Sequence, residues 1–229
     1  EEGDHLICLR PPRWGKSLTV DILADYLGKN TTETLFEELF GNLAIFPTDK
    51  RGKLCRRFYV MKFDFSIEVG SGSVDEIHRR LSEEINGKVM DFVKRYALSD
   101  VKINDDNGLA SLKSMALALK RADADAELFI LVDDYDHFSN ELMALPDSSR
   151  SDAVVADPDK QDGPLISFMA AIKTISEIVS TQSFVTGLTS ISLADRLSAN
   201  IFYTISFEKS ASSASPRPTS ERACRSSST

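Results

Sequence analysis

The chain has 229 residues, of which 42% are hydrophobic and 27% are charged, and its formal net charge is −8. This composition is ordinary for a globular protein, and the length suits one α/β domain, alone or with a tail. The negative charge argues against a general affinity for nucleic acid or anionic membranes, because phosphate-bearing surfaces attract basic proteins. No apolar run approaches the ~18 residues of a membrane span.

Cysteine and histidine spacing gives no sign of a disulfide scaffold or a zinc site. The residues concerned are Cys8, Cys55, Cys224, His5, His78 and His137. The chain begins with Glu1 and not with Met, so the sequence does not exclude a signal or targeting segment before it. We expect an intracellular, cytoplasmic protein.

The first part of the chain predicts strands and helices in alternation. His5–Leu9 is a short apolar run of the kind that forms a buried parallel strand. An amphipathic helix follows and stops at Gly28, and a second helix is predicted over 32–43. Phe58–Ser66 is then predicted to be another strand.

The middle of the chain continues this alternation. Ser73–Glu76 has the spacing of a capping box, so a long helix is expected from there to about Tyr96. Leu109–Leu119 shows helical spacing, and Leu128–Asp134 is an apolar strand that ends in acids.

A loop, a helix and two strands are predicted beyond that point. Pro146–Gly163 is rich in Asp, Ser and Pro and is predicted to be a mobile acidic loop. The next helix begins at Pro164, a residue accepted in a first helical turn. Ser183–Leu188 and Ile201–Phe207 are predicted strands, with a short helix near Leu193–Ser198 between them.

This alternation favours an α/β fold with a mostly parallel sheet covered on both faces. We expect one domain over residues 1–207. Residues 208–229 are Ser-rich and almost free of apolar side chains, so they are predicted to be a disordered tail.

A candidate phosphate-binding loop, RPPRWGKS, follows the first strand at Arg10–Ser17. In the usual G-x-x-x-x-G-K-[ST] loop, backbone amides cradle the phosphates. Arg10 replaces the first glycine here, and Pro11 and Pro12 have no N–H group. The prolines remove none of the central donors, and Arg10 and Arg13 add positive charge near the phosphates. The alternative is a chance GKS sequence in a surface turn.

The second half of the loop carries the groups that a nucleotide needs. The amides of Trp14, Gly15, Lys16, Ser17 and Leu18 lie at the start of a helix, where the dipole favours anions. Lys16 is predicted to reach the β and γ oxygens, and the Ser17 hydroxyl to bind Mg²⁺. Trp14 is predicted either to pack against the sheet or to stack near the nucleotide, and packing against the sheet is the favoured interpretation.

Acidic residues at the end of the strand Leu128–Asp134 supply the other half of a hydrolytic site. Asp133 is predicted to hold Mg²⁺, and Asp134 to orient the attacking water in place of the usual glutamate. Asp is one methylene shorter than Glu, and an error of about 1 Å can cost on the order of 100-fold in rate. The alternative is a strand cap and turn. Thr186 either senses the γ-phosphate or has a structural role. Asp64 either approaches the nucleotide or begins a turn, and the turn is favoured.

With these motifs, residues 5–207 resemble the predicted AAA-ATPase-like family. Its members carry an RPxRxGK[ST] loop, an apolar strand that ends in DEYD, here Asp133–Asp136, and a later Thr-Gly pair, here Thr186–Gly187. The resemblance implies a P-loop three-layer sandwich that binds ATP and Mg²⁺. Asp134 departs from the family glutamate, and no lid is recognisable after Phe207.

The leading hypothesis is a slow, Mg²⁺-dependent P-loop NTPase that couples ATP hydrolysis to a conformational change. A nucleotide-binding scaffold without significant turnover is the main alternative. A small-molecule or nucleotide kinase is a third, since phosphoryl transfer uses the same loop, although no acceptor site is recognisable. Besides the nucleotide, the chain could bind a protein partner or a second copy of itself, and the sequence leaves both open.

Overall fold

A parallel five-stranded sheet forms the centre of the molecule. The computed structural model describes residues 4–45, 54–66, 74–135, 164–188 and 202–206. The strands are β1 (His5–Leu9), β2 (Tyr59–Asp64), β3 (Glu127–Asp133), β4 (Ser180–Gly187) and β5 (Phe202–Ser206). Their spatial order is β2-β3-β4-β1-β5, and every neighbouring pair is parallel. The predicted fold class is therefore confirmed.

Helices alternate with these strands along the chain. Within the described residues they are α1 (Lys16–Leu27), α2 (Glu33–Phe40), α3 (Val74–Arg95), α4 (Gly108–Ala122) and α5 (Pro164–Ser176). None of them has both the length and the apolar run that crossing a bilayer requires. The expected cap at Ser73, the acidic loop, the short helix 193–198 and the tail lie outside the described residues.

Two hydrophobic cores lie on opposite faces of the sheet, because successive side chains of a strand point to opposite sides. Along β3, Leu128, Ile130 and Val132 belong to the core formed with α3, α4 and α5. Phe129 and Leu131 belong to the smaller core formed with α1 and α2. The molecule is therefore a three-layer sandwich.

The helix ends are fixed by local chemistry. The Thr32 side chain accepts a hydrogen bond from the Leu35 amide at the start of α2, and Asn107 does the same for Ala110 at the start of α4. At Gly108, a Cβ atom would lie 2.8 Å from Ile85 Cβ, so only glycine allows α4 to approach α3 this closely.

The carboxyl ends of the parallel strands meet at one edge of the sheet. β4 lies between β1 and β3, so the loop after β1 and the acids after β3 flank the end of β4. β3 ends at Asp133, one position before the predicted end, because Asp134 has a left-handed φ of 48° that an extended strand cannot hold. The edge is the usual ligand-binding edge of an open α/β sheet.

Candidate functional site

The loop from Arg10 to Gly15 joins β1 to α1 over this edge. The Arg10 amide donates to the Gly187 carbonyl at the end of β4 (3.1 Å). Two loop residues adopt left-handed backbone, Arg13 with φ 65° and Gly15 with φ 73°. Apart from its two chain neighbours, no atom of the described residues lies within 4 Å of a Cβ atom built on Gly15, so that position is open within this part of the chain.

The N-terminus of α1 has amides available for a ligand. Gly15 is the N-cap residue and gives no side-chain cap. The first backbone bond of the helix runs from the Thr19 amide to the Gly15 carbonyl (2.9 Å). Among the described residues, the amides of Lys16, Ser17 and Leu18 make no hydrogen bond to a protein group. Free amides at a helix start, together with the helix dipole, form an anion site.

Lys16, the first residue of α1, forms an ion pair with Asp134, which directly follows β3. Lys16 Nζ lies 3.2 Å from Asp134 Oδ1, with the lysine side chain 8% exposed and the aspartate side chain 30% exposed. The pair is an ion pair by distance. Asp134 Oδ1 is buried and accepts no hydrogen bond from the described residues. The Lys16 ammonium offsets the charge of this oxygen, which still has lone pairs that can accept a hydrogen bond.

Thr186 on β4 ties the two acids together. Its hydroxyl donates to Asp133 Oδ1 (2.6 Å) and accepts from the Asp134 amide (3.4 Å). Asp133 and Thr186 are both buried. The left-handed backbone of Asp134 turns the chain at the end of β3, and Asp is among the residues that tolerate this conformation best.

The structure therefore brings Lys16, Asp133, Asp134 and Thr186 into one cluster. Arg13, Ser17 and Leu18 lie on the loop and the first turn of α1 with exposed side chains. The cluster thus joins one cation, two carboxylates and one hydroxyl at the carboxyl ends of β3 and β4.

Trp14 is not in the core. Its side chain is 48% exposed, so the favoured packing against the sheet is wrong. The loop lies beyond the carboxyl end of β1, and Trp14 directly precedes the Gly15 N-cap. An aromatic residue shortly after a strand packs in the core only if the loop backbone directs its side chain back over the sheet.

Asp64 and His5 have structural partners. Asp64 Oδ1 accepts from the Ser66 amide (3.0 Å), which confirms the favoured turn. His5 is buried, and its Nδ1 lies 2.9 Å from Ser183 Oγ on β4. Among the described residues, no group of three or more His, Cys, Asp or Glu side chains could hold a metal ion.

Sequence reasoning missed one contributor, Thr19. Arg10 Nη1 donates to Thr19 Oγ1 (3.1 Å), and Thr19 Oγ1 donates to the Gly15 carbonyl (2.8 Å). The available signal was a hydroxyl residue four positions after Gly15 at the start of a predicted helix, because such a hydroxyl reaches the carbonyl one turn earlier.

The parallel sheet, the glycine-containing loop that opens α1 and the acids after β3 define a P-loop NTPase-like α/β protein. The comparison with family models agrees with this class. The chain belongs to the predicted AAA-ATPase family, whose model matches residues 1–196. The resemblance drawn from the loop and the acidic strand is thus confirmed at the family level. A comparison with curated proteins gave no match.

Proposed function

We propose that the protein binds ATP with Mg²⁺ at the loop Arg10–Ser17 and hydrolyses it slowly, and that hydrolysis drives a conformational change. The observation that carries this proposal is the Lys16–Asp134 ion pair at 3.2 Å, set against the free amides that open α1. A triphosphate needs both a cationic side chain and backbone donors, and this edge of the sheet offers both.

Nucleotide binding would exchange the partner of Lys16. In the absence of phosphate, the lysine neutralises Asp134 across a largely buried contact. Phosphate oxygens would accept from the amides of Lys16, Ser17 and Leu18 and take over the Lys16 ammonium. Asp134 Oδ1 would then be free to accept a hydrogen bond from water beside the terminal phosphate.

Ser17 and Asp133 are the residues that would hold Mg²⁺. The donors fit the ion, since Mg²⁺ in proteins takes hard oxygen ligands, often one or two carboxylates plus substrate phosphates and waters. When bound, the ion would neutralise negative charge on the phosphates. Thr186 holds one oxygen of Asp133, so its contribution is to orient that carboxylate.

Turnover is expected to be slow because Asp134 is short and already has a charged partner. An aspartate reaches less far than the usual glutamate, and positioning errors of about 1 Å cost on the order of 100-fold. The same observation favours a second candidate, a scaffold that changes shape on binding ATP without significant hydrolysis.

Binding can be tested by calorimetric titration with ATP in the presence of Mg²⁺. We expect saturable binding by the unmodified chain, and a loss of affinity of about tenfold or more for Lys16→Ala, because a charge-assisted contact is removed. Lys29→Ala is the matched control, since Lys29 forms a comparable ion pair with Asp123 (3.1 Å) away from the site. Equal affinity in all three proteins would contradict the proposal.

Hydrolysis is tested with Asp134→Asn, since Asn keeps the side-chain shape and tolerates left-handed backbone. We expect this variant to bind ATP at least as tightly, because Lys16 no longer has a competing partner, and to lose phosphate release. Asp123→Asn, which breaks the Lys29 pair, controls for loss of charge. Equal phosphate release by the unmodified chain and Asp134→Asn would favour the scaffold. Asp134→Glu is a less clean test, because Glu at φ 48° adds backbone strain.

A further inference from the structure

A chain of hydrogen bonds joins the end of β4, the first residue of the loop and the first turn of α1. The Arg10 amide donates to the Gly187 carbonyl (3.1 Å), and Arg10 Nη1 donates to Thr19 Oγ1 (3.1 Å). Thr19 Oγ1 donates in turn to the Gly15 carbonyl (2.8 Å). We refer to the last three residues as the Arg10–Thr19–Gly15 chain.

The Arg10–Thr19–Gly15 chain of hydrogen bonds compensates for a missing glycine and missing backbone donors in the loop. Arg10 stands where such loops usually have glycine, and Pro11 and Pro12 can donate no backbone hydrogen bond. Two residues of the loop also hold left-handed backbone, Arg13 at a cost that glycine would not have. Arg10 and Thr19 therefore add side-chain hydrogen bonds to a loop in which two residues can donate none from the backbone.

The point of attachment matters for phosphate binding. The Gly15 carbonyl accepts twice from Thr19, once from its amide (2.9 Å) and once from its hydroxyl (2.8 Å). The Gly15 carbonyl and the Lys16 N–H belong to one planar peptide unit and point in opposite directions. Fixing the carbonyl therefore fixes the direction of the Lys16 amide, which is one of the free donors at the helix start.

We infer that Arg10 and Thr19 are positioning residues that align the Gly15–Lys16 peptide for the phosphates of the nucleotide. The inference rests on the proposed function. Thr19 acts through the peptide and needs no contact with the ligand, and Arg10 acts through Thr19 and not through its charge alone. The loop is thereby set in its binding shape before the nucleotide arrives, which lowers the ordering cost of binding.

Thr19→Val is the first test, because it replaces the hydroxyl by a methyl group of similar size. We expect the Kd for ATP with Mg²⁺ to rise about tenfold, and Thr19→Ser to stay within about twofold of the unmodified chain, since serine restores the hydroxyl. Thr174→Val in α5 is the matched control. Thr174 Oγ1 donates to the Ala170 carbonyl, also four residues earlier (3.1 Å), so it loses the same kind of bond far from the loop.

A double-mutant cycle separates positioning from charge. If Arg10 acts through Thr19, Arg10→Ala and Thr19→Val should each weaken binding, and the double variant should be little weaker than either single one. If Arg10 instead attracts the phosphates directly, the two losses multiply, and that result would overturn the inference.

The outcomes distinguish this inference from the proposed function. Absence of saturable ATP binding by the unmodified chain would refute the proposed function itself. Binding that Lys16→Ala weakens but Thr19→Val leaves unchanged would refute only the positioning role. Thermal unfolding followed by circular dichroism shows whether Thr19→Val is folded, and Arg10→Ala provides a second variant if it is not.

Discussion

Two glycines stand at the ends of α1 for different physical reasons. Gly15 at the start has φ 73°, and a side chain there would project into open space. Gly28 at the end has an ordinary φ of −71°, but its Cβ would lie 2.7 Å from the Ala24 carbonyl oxygen. The first glycine is needed for backbone conformation beside a ligand, whereas the second is needed for space inside the fold.

This difference predicts separable effects of two alanine substitutions. Gly15→Ala should lower the free energy of unfolding by about 1–2 kcal/mol through left-handed strain. It should also reduce ATP binding more than tenfold, roughly, since the peptide that carries a phosphate donor must shift. Unfolding by denaturant and calorimetric titration measure the two quantities.

Gly28→Ala is the control for that experiment. It should destabilise the fold by about 1–3 kcal/mol, because helix and loop must move apart, and leave ATP affinity nearly unchanged. If both variants lose binding in proportion to lost stability, Gly15 has no special place in the site.

At the scale of elements, β1 is held to β4 by more than its backbone ladder. His5 on β1 is buried and contacts Ser183 Oγ on β4, and the Ser183 amide donates to the Asp4 carbonyl (2.9 Å). Burial lowers the pKa of His5 below its ordinary 6.5, against the smaller opposing effect of Asp4, which raises it. The histidine is therefore folded in its neutral form near neutral pH.

This shift predicts a loss of stability in mild acid. Below pH 6.5 the unfolded chain takes up a proton at His5 that the folded chain does not, so the free energy of unfolding decreases as pH falls from 6.5 toward the lowered pKa. The slope for one proton is at most about 1.4 kcal/mol per pH unit. Denaturant titrations between pH 7.5 and pH 5, roughly the range of histidine titration, measure it.

His5→Asn should flatten this pH dependence while keeping a polar partner for Ser183. The comparison needs a matched histidine to show that the change belongs to His5. His78 is exposed on α3, so His78→Asn is the matched control for the same substitution at an exposed position. An unchanged slope in His5→Asn would mean that another group is responsible.

At the scale of the whole molecule, the sequence predicted the architecture well. The spacing of apolar residues shows which face of each strand or helix is buried, and the alternation of strands and helices indicates a parallel sheet. The rule that parallel strands end at one edge was enough to group Lys16 with Asp133 and Thr186. Left-handed backbone at Asp134, the exposure of Trp14 and the Thr19 bond to Gly15 were not predictable in this way. Each depends on where a turn directs a few atoms, which composition and spacing do not encode.

The site lies at the ends of two strands that contribute side chains to both hydrophobic cores, so nucleotide binding should stabilise the molecule as a whole. β3 and β4 contribute side chains to the cores on both faces, and the cluster sits at their carboxyl ends. Lys16 lies on α1 and Asp133 on β3, so a ligand that needs both residues cannot bind after β3 has separated from the rest of the sheet. Binding energy should appear in global unfolding and not only in local order around the loop.

Thermal unfolding should accordingly shift with nucleotide. At an ATP concentration about 100 times Kd, with Mg²⁺, one site adds about 2.7 kcal/mol to the free energy of unfolding. For a domain of this size that corresponds to a rise in Tm of roughly 5–10 °C. The rise should grow with the logarithm of ATP concentration, should be largely lost in Lys16→Ala and should persist in Lys29→Ala. A shift of equal size in Lys16→Ala would place the binding site elsewhere, because that variant lacks the cation that the proposed site offers to the phosphates.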